Sequence, residues 1–564
     1  MMALVQSNRR VWLAMVLSAA AFSAHAATYH LHPMRGDDDH SGLSPQAPFR
    51  SLARVSGLSL QPGDRVLLAA GQTFAGQLVL ADVAGTVEAP IVISTYTDGN
   101  ASGDVRATID AAGQAAGVLL RNAAHVRIEN LHLTGNGGGM AASSAGDRAL
   151  RCGVLVLADR PGDYAGFRLT NLVVRDVFLE EPGFVRDQKE VRTANGTQHY
   201  GWGIRFIARP AGATLRDVVV EDCEIANVSH TGLKFTAPTN GIRNVTVERL
   251  RVRDTGGPGV QMSGLRGGRF RELDVNGSGS TNDTRNWGRG SGLWTWQTSD
   301  VVIERSRFQN ANGPGDSAGV HIDYHCRDII VQHILSANNA GGFCEVLGNN
   351  HNIAYRYNIS VNDGHRVKGR NGAFQEGKIF WLSGYTGDRS PRIGPFNTYF
   401  YNNTIFVRED IVAKFTVAPT ARGVLIANNI FHIQGRSLTV PGDQNRPDVG
   451  PVSGISNVVF RNNLFLRRDN WPTDSGLADT APLVGDPEFA NGGGLRLEDY
   501  LPQNVGLIRD RGLVIERLPG DPHGLPGGLR VERDILGNEI TGRPDLGAVD
   551  LPGPAVSGAV SPAR

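Results

Sequence analysis

Lysine is scarce. Only five of the 564 residues are lysine (Lys189, Lys234, Lys368, Lys378 and Lys414), although Lys and Arg together number 56. That excludes a polybasic tail for nucleic acid or an anionic membrane. The 55 acidic residues almost cancel the basic ones, so no strong net field recruits a charged partner. Cysteine is nearly as rare, with four residues, and no CxxC or Cys/His spacing suggests zinc. Cys152, Cys223, Cys326 and Cys344 allow two disulfides in an oxidising compartment or four buried thiols, and spacing does not choose between them.

Long apolar runs are also missing after the start. Arg9 and Arg10 precede the apolar stretch Val11–Ala21, and Ala24-His25-Ala26 offers small residues for cleavage. This pattern predicts a signal peptide over 1–26, with cleavage after Ala26 and a periplasmic or secreted protein. Beyond it no stretch approaches the ~18 apolar residues of a spanning helix, so membrane insertion is not expected. The remainder reads as one domain over 27–550 followed by a flexible tail, 551–564, and as a monomer.

Glycine, by contrast, is abundant, at 71 residues, and it is placed regularly. Strand-like segments open on it at Gly203-Ile204-Arg205-Phe206-Ile207, Gly232-Leu233-Lys234-Phe235-Thr236, Gly259-Val260-Gln261-Met262-Ser263, Gly292-Leu293-Trp294-Thr295-Trp296 and Gly319-Val320-His321-Ile322-Asp323. A second class of short apolar strands follows Asn, Asp or His. Examples are Asp217-Val218-Val219-Val220, Asn244-Val245-Thr246-Val247, Asp300-Val301-Val302-Ile303 and Asp328-Ile329-Ile330-Val331. Asn402-Asn403, Asn428-Asn429 and Asn462-Asn463 suit stacked Asn side chains at a turn. Two strand classes recurring every ~22–30 residues predict an all-β solenoid, a right-handed parallel β-helix, whose coils bury their apolar faces only by stacking.

The chain resembles the pectin-lyase-like β-helix superfamily. The resemblance includes an entry segment, Gly36-Asp37-Asp38-Asp39-His40-Ser41-Gly42, and a closing segment, Gly542-Arg543-Pro544-Asp545-Leu546-Gly547. It implies a secreted carbohydrate-active protein and leaves the reaction open.

Strand alternation selects the candidate site. With the residue after each glycine pointing inward, Arg205, Lys234, Gln261, Trp294 and His321 form one outward row. Ile207, Thr236, Ser263, Trp296 and Asp323 form the next. Setting Gly341-Gly342-Phe343-Cys344-Glu345 on the following coil places Phe343 beside His321 and Glu345 beside Asp323. Two carboxyls on successive coils would lie ~5 Å apart, the separation of a retaining glycosidase, and their repulsion favours one protonated acid. The pair also resembles the catalytic Asp and Glu of β-helix β-xylosidases. That resemblance implies Asp323 as nucleophile and Glu345 as acid/base, with His321 as an orienting partner. Trp294 and Trp296 are expected to stack on sugar, with Trp202, Trp287 and Trp381 in nearby insertions. Lys234, Gln261 and Arg205 are further substrate-binding candidates. Glu376 is a further acid, and Arg366, with Lys368 and Arg370, a holder of a sugar carboxylate or sulfate.

Three readings follow. The first is a glycoside hydrolase on an oligosaccharide or polysaccharide, needing no cofactor or metal. The second is a polysaccharide lyase or uronate epimerase, with Lys234, His230, Arg205 or His321 at the reacting centre and calcium as its cofactor. The third is a non-enzymatic glycan-binding β-helix.

Overall fold

The computed structural model describes residues 26–97, 105–135, 151–178, 201–279, 290–387, 389–442 and 454–552. The predicted signal peptide, apart from Ala26, most of the predicted tail, and Trp287 lie outside them. The described strands form two all-parallel sheets, one of 12 strands and one of 26. The larger sheet covers two sides, because strands such as Gly162–Val177 turn a corner unbroken and pair with two strands of the next coil. The result is the right-handed parallel β-helix anticipated from the repeats. No helix among the described residues is long and apolar enough to cross a membrane.

The recurring Asn and Asp have a backbone cause. Asp217, Asn244, Asp300, Asp328, Asn352, Asn397 and Asn457 all hold positive φ at the same corner of successive coils. These residues tolerate the left-handed conformation best after glycine. The Asn doublets build two ladders. The first member of each, Asn402, Asn428 and Asn462, takes positive φ and bonds to its counterpart through its side-chain amide. The second members, Asn403, Asn429 and Asn463, are fully buried, as is Asn358 one coil earlier, and Asn358, Asn403 and Asn429 each pass an Nδ2–H to the Oδ1 of the next at 2.8–3.0 Å. Buried amides are thereby satisfied where the chain turns.

The glycine column has a steric cause. A Cβ on Gly292 would lie 2.8 Å from Phe308 and 2.5 Å from the Gly319 carbonyl oxygen. Along the facing wall, Phe308 is replaced by Ser336 and then Ser360 in the coils that follow. With that wall smaller, Phe343 enters the core and packs edge-on against Tyr355 and Phe400.

This corrects the predicted register. Val320 pairs with Cys344 and His321 with Glu345, a step of 24 residues. Glu345 still faces outward, but it stands beside His321 rather than beside Asp323. The placements of two tryptophans also change, since Trp202 and Trp381 lie on strands Gly201–Ala208 and Lys378–Leu382, not in insertions. All four cysteines are unpaired and buried, which pushes the Cys152 and Cys326 thiols up to about 12.

After the last short strand, Leu483–Val484, the chain runs back along the outside of the larger sheet. Leu518, Leu525, Val531 and Ile540 cover Tyr399, Tyr401 and Leu425 there. Tyr401 donates its hydroxyl to the Leu529 carbonyl at 2.6 Å.

Asp363 extends the polar ladders into an ionisable position. Fully buried, it accepts hydrogen bonds from Asn339 and Ser360, and burial raises its carboxyl to about 7. Between its unfolded value and about 7 the folded protein binds more protons than the unfolded chain, so stability falls as pH rises through that window. Asp363→Asn retains an acceptor oxygen and cannot ionise. Calorimetry is expected to find it more stable than wild type at pH 7.5 by about 2–4 kcal/mol, with the difference vanishing near pH 4.

Candidate active site

The outward row of the 12-stranded sheet runs Arg205, Lys234, Gln261, Trp294, His321, Glu345, Trp381 and Thr416, each registered with the next. Neighbouring coils lie ~4.8 Å apart, so residues more than a hundred positions apart in sequence form one continuous strip.

Glu345 is its chemical centre. It is 2% exposed, and its Oε1 makes no hydrogen bond while facing His321 Nε2 at 3.6 Å. Burial drives its carboxyl well above the usual carboxylate range, and the Asp316 charge pushes the same way. Lys378 and Arg366 oppose the shift, and Asp323 adds to it. Burial and the neighbouring acids thus favour the protonated form of Glu345. Lys378, fully buried on the next coil, is lowered by burial to about 7 against the pull of Glu345.

Asp316 escaped the sequence reading. It precedes the strand Ala318–Ile322 in Gly313-Pro314-Gly315-Asp316-Ser317, and Asp316 and Ser317 have φ of 45° and 66°. Two consecutive non-glycine residues in the left-handed region store strain that neighbouring structure must hold. Here Asp316 N–H donates to Gln375 Oε1 at 2.6 Å, and Gly341 N–H donates to the Ser317 carbonyl at 2.8 Å. The approach is so close that a Cβ on Gly341 would lie 1.7 Å from the Asp316 oxygen. The strain delivers a carboxylate into the cluster, where ligand atoms of Asp316, His321 and Glu345 lie within 4.8 Å of one another. Two oxygens and one nitrogen at that spacing form a donor set for a divalent cation. The positive charges of Lys378 and Arg366, both felt at Glu345, work against one. An acid in a glycine- and proline-rich turn leading into a site strand was the one signal available in the sequence.

Asp323 differs from Glu345. It is half-buried, and it accepts from Trp294 Nε1–H at 3.1 Å and from the Tyr324 backbone N–H at 2.8 Å. Both bonds fix the direction of its carboxyl group. Trp294 is only 5% exposed, stacked on Trp296 and edge-on to His321. It is thus a buried donor to Asp323 and not an open sugar platform. Trp296, stacked on Trp294 and tilted against Tyr324, is the more exposed of the two rings.

The next coils supply the cations. Lys378 lies 3.8 Å above the Trp381 ring and donates to the Glu376 carbonyl. Glu376 pairs with Lys414 at 3.2 Å. Arg366 is buried, donating to the carbonyls of Gln375 and Gly313. It holds the loop that carries Gln375 and Glu376 and does not act as an exposed cation. Lys368 and Arg370 are exposed. Gln261 occupies the coil before Trp294, whereas Arg205 and Lys234 stand farther back and do not join the carboxyl cluster.

The class this architecture defines is the right-handed parallel β-helix with acidic groups gathered on one outer strip. No protein-family model matches the chain. It is 25% identical to a lacto-N-biosidase of Bifidobacterium longum subsp. longum, across 94% of this chain and 37% of that protein, so it spans little more than a third of that relative's length. Among solved structures, a GH136 lacto-N-biosidase from Eubacterium ramulus, as its selenomethionine derivative, aligns with a TM-score of 0.50 at 21% identity, covering 73% of this chain and 67% of that one. XylC in complex with xylose aligns at 0.51 and 11% identity, covering 93% and 98%. The two structures share this chain's fold.

The Trp294–Asp323 bond generates a prediction. Trp294→Phe keeps a ring but deletes the donor, and a charge-assisted hydrogen bond contributes ~1.5–3 kcal/mol. Turnover is expected to fall about 10- to 100-fold as the Asp323 carboxyl loses the donor that holds its direction. Steady-state kinetics checks it.

Proposed function

We propose that the protein is a glycoside hydrolase acting on an oligosaccharide or polysaccharide. The observation carrying this reading is the contrast between two acids on neighbouring coils: a Glu345 whose burial favours its protonated form and a hydrogen-bonded, more accessible Asp323. Glycoside hydrolysis needs that asymmetry, one group donating a proton to the departing oxygen while another stabilises or attacks the sugar. The similarity to lacto-N-biosidases supports the same reaction class and makes an activity of that type the first to assay.

In this proposal Asp323 is the nucleophile. It attacks the anomeric carbon as the glycosidic oxygen takes a proton from Glu345, whose protonated form burial and the Asp316 charge favour. Glu345 then accepts a proton from water, and the hydroxide equivalent releases the sugar from Asp323. His321 orients Glu345, and Trp296 carries the sugar ring. The reaction is metal-independent, and the protein is exported and monomeric.

A glycan panel tests this by reducing ends and ultraviolet absorbance together. New reducing ends without absorbance are expected, with kcat at least ~10²-fold lower in Asp323→Asn and in Glu345→Gln. An unsaturated, absorbing product, or wild-type rates in both variants, contradicts the proposal. A chelator is expected to leave the rate within about twofold, and a loss recovered with calcium would favour the lyase reading.

The pH dependence has a definite sign. A general acid works while protonated, so the raised Glu345 carboxyl keeps activity into neutral pH, and activity is lost as pH rises through it. In Glu345→Gln the residual activity is expected to lack that alkaline limb.

A further inference from the structure

Arg205 and Lys234 occupy successive coils of the outer row, registered directly with each other. Both are buried, at 5% and 8% exposure. Arg205 lies over the Trp202 ring at 4.1 Å and Lys234 over the same ring at 5.9 Å. Neither has an ion pair with a carboxylate among the described residues, and Arg205 Nε and Nη1 make no hydrogen bond. Two like charges held ~4.8 Å apart and out of water are costly, and an aromatic face offsets only part of that cost. The burial lowers Arg205 to about 10, and burial together with Arg205 drives Lys234 well below the usual lysine value. An oxyanion between them would satisfy the orphaned guanidinium donors and restore the ammonium charge.

We infer that Arg205 and Lys234 form an anion-binding subsite that takes a sulfate or carboxylate group. Lys234 is three coil steps from His321, so ~14 Å separates this subsite from the carboxyl cluster along the strip. That places the anionic group on a sugar more than one ring away from the bond that is cut. The identity of the carrier rests on the glycosidase reading, whereas the anion site itself does not.

The test therefore uses the full chain without substrate. Isothermal titration and thermal melts are run with sodium sulfate and, separately, sodium acetate, at ionic strength matched with chloride. Saturable binding of at least one anion is expected, with a rise in Tm of about 2 °C, at least tenfold weaker affinity in Lys234→Met and Arg205→Met, and retained binding in Lys234→Arg. Preference for sulfate or acetate distinguishes the two group chemistries. No saturable binding by wild type overturns the inference, as does undiminished binding in both methionine variants. If the methionine variants fail to fold, Lys234→Gln and Arg205→Lys are titrated instead, and undiminished binding in Lys234→Gln overturns it equally. A protein inactive on every glycan yet binding sulfate would refute the hydrolase and leave this subsite standing.

Discussion

Everything in this molecule depends on the stacking of one coil on the next through parallel backbone hydrogen bonds. The ladder fixes a spacing of ~4.8 Å and transmits register, so a residue's neighbours are set by its position within the coil and not by its distance in sequence. The strip from Arg205 to Trp381 exists only because seven strands hold the same phase. Apolar side chains line the inside of that strip, and whatever faces outward is available for chemistry.

The strip uses that freedom at a cost. It concentrates Arg205, Lys234, His321, Glu345 and Lys378, each under 9% exposed. Buried charge is tolerated only with compensation, and the strip compensates in two ways. Around Glu345, opposite charges from Lys378 and Arg366 meet a carboxyl that relieves the remaining strain by holding a proton. Around Arg205 and Lys234 the compensation is aromatic and incomplete. One scaffold thus carries an acid cluster and a cation pair on the same face, separated by Gln261 and Trp294.

Much of the architecture was legible because the coil repeats its physical demands. Asp217, Asn244, Asp300 and Asp328 mark a corner that needs positive φ, and Gly292 marks a wall too crowded for a Cβ. Those demands leave residue types at fixed places. The site was legible in part. His321, Asp323 and Trp294 follow from alternation on a well-repeated strand. Glu345 was recognised as outward but was set beside the wrong partner, because the glycine column ends at Gly319 and Phe343 enters the core instead. That exchange depends on the shrinking of Phe308 to Ser336 and Ser360 across the core, a relation among three strands that no single strand displays. Asp316 was missed for another reason. Its carboxylate reaches the cluster through a strained turn held by Gln375 and Gly341, and strand periodicity says nothing about turns.

The central claim is that burial beside Asp316 keeps Glu345 protonated in the resting protein. Carbon-13 NMR of protein labelled at the glutamate carboxyl carbons measures this directly, with Glu345→Gln assigning the resonance. The account predicts a Glu345 carbon at the chemical shift of a protonated carboxyl at pH 7, moving only at more alkaline pH. A Glu345 resonance that titrates with the exposed glutamates near ~4.3 would contradict it.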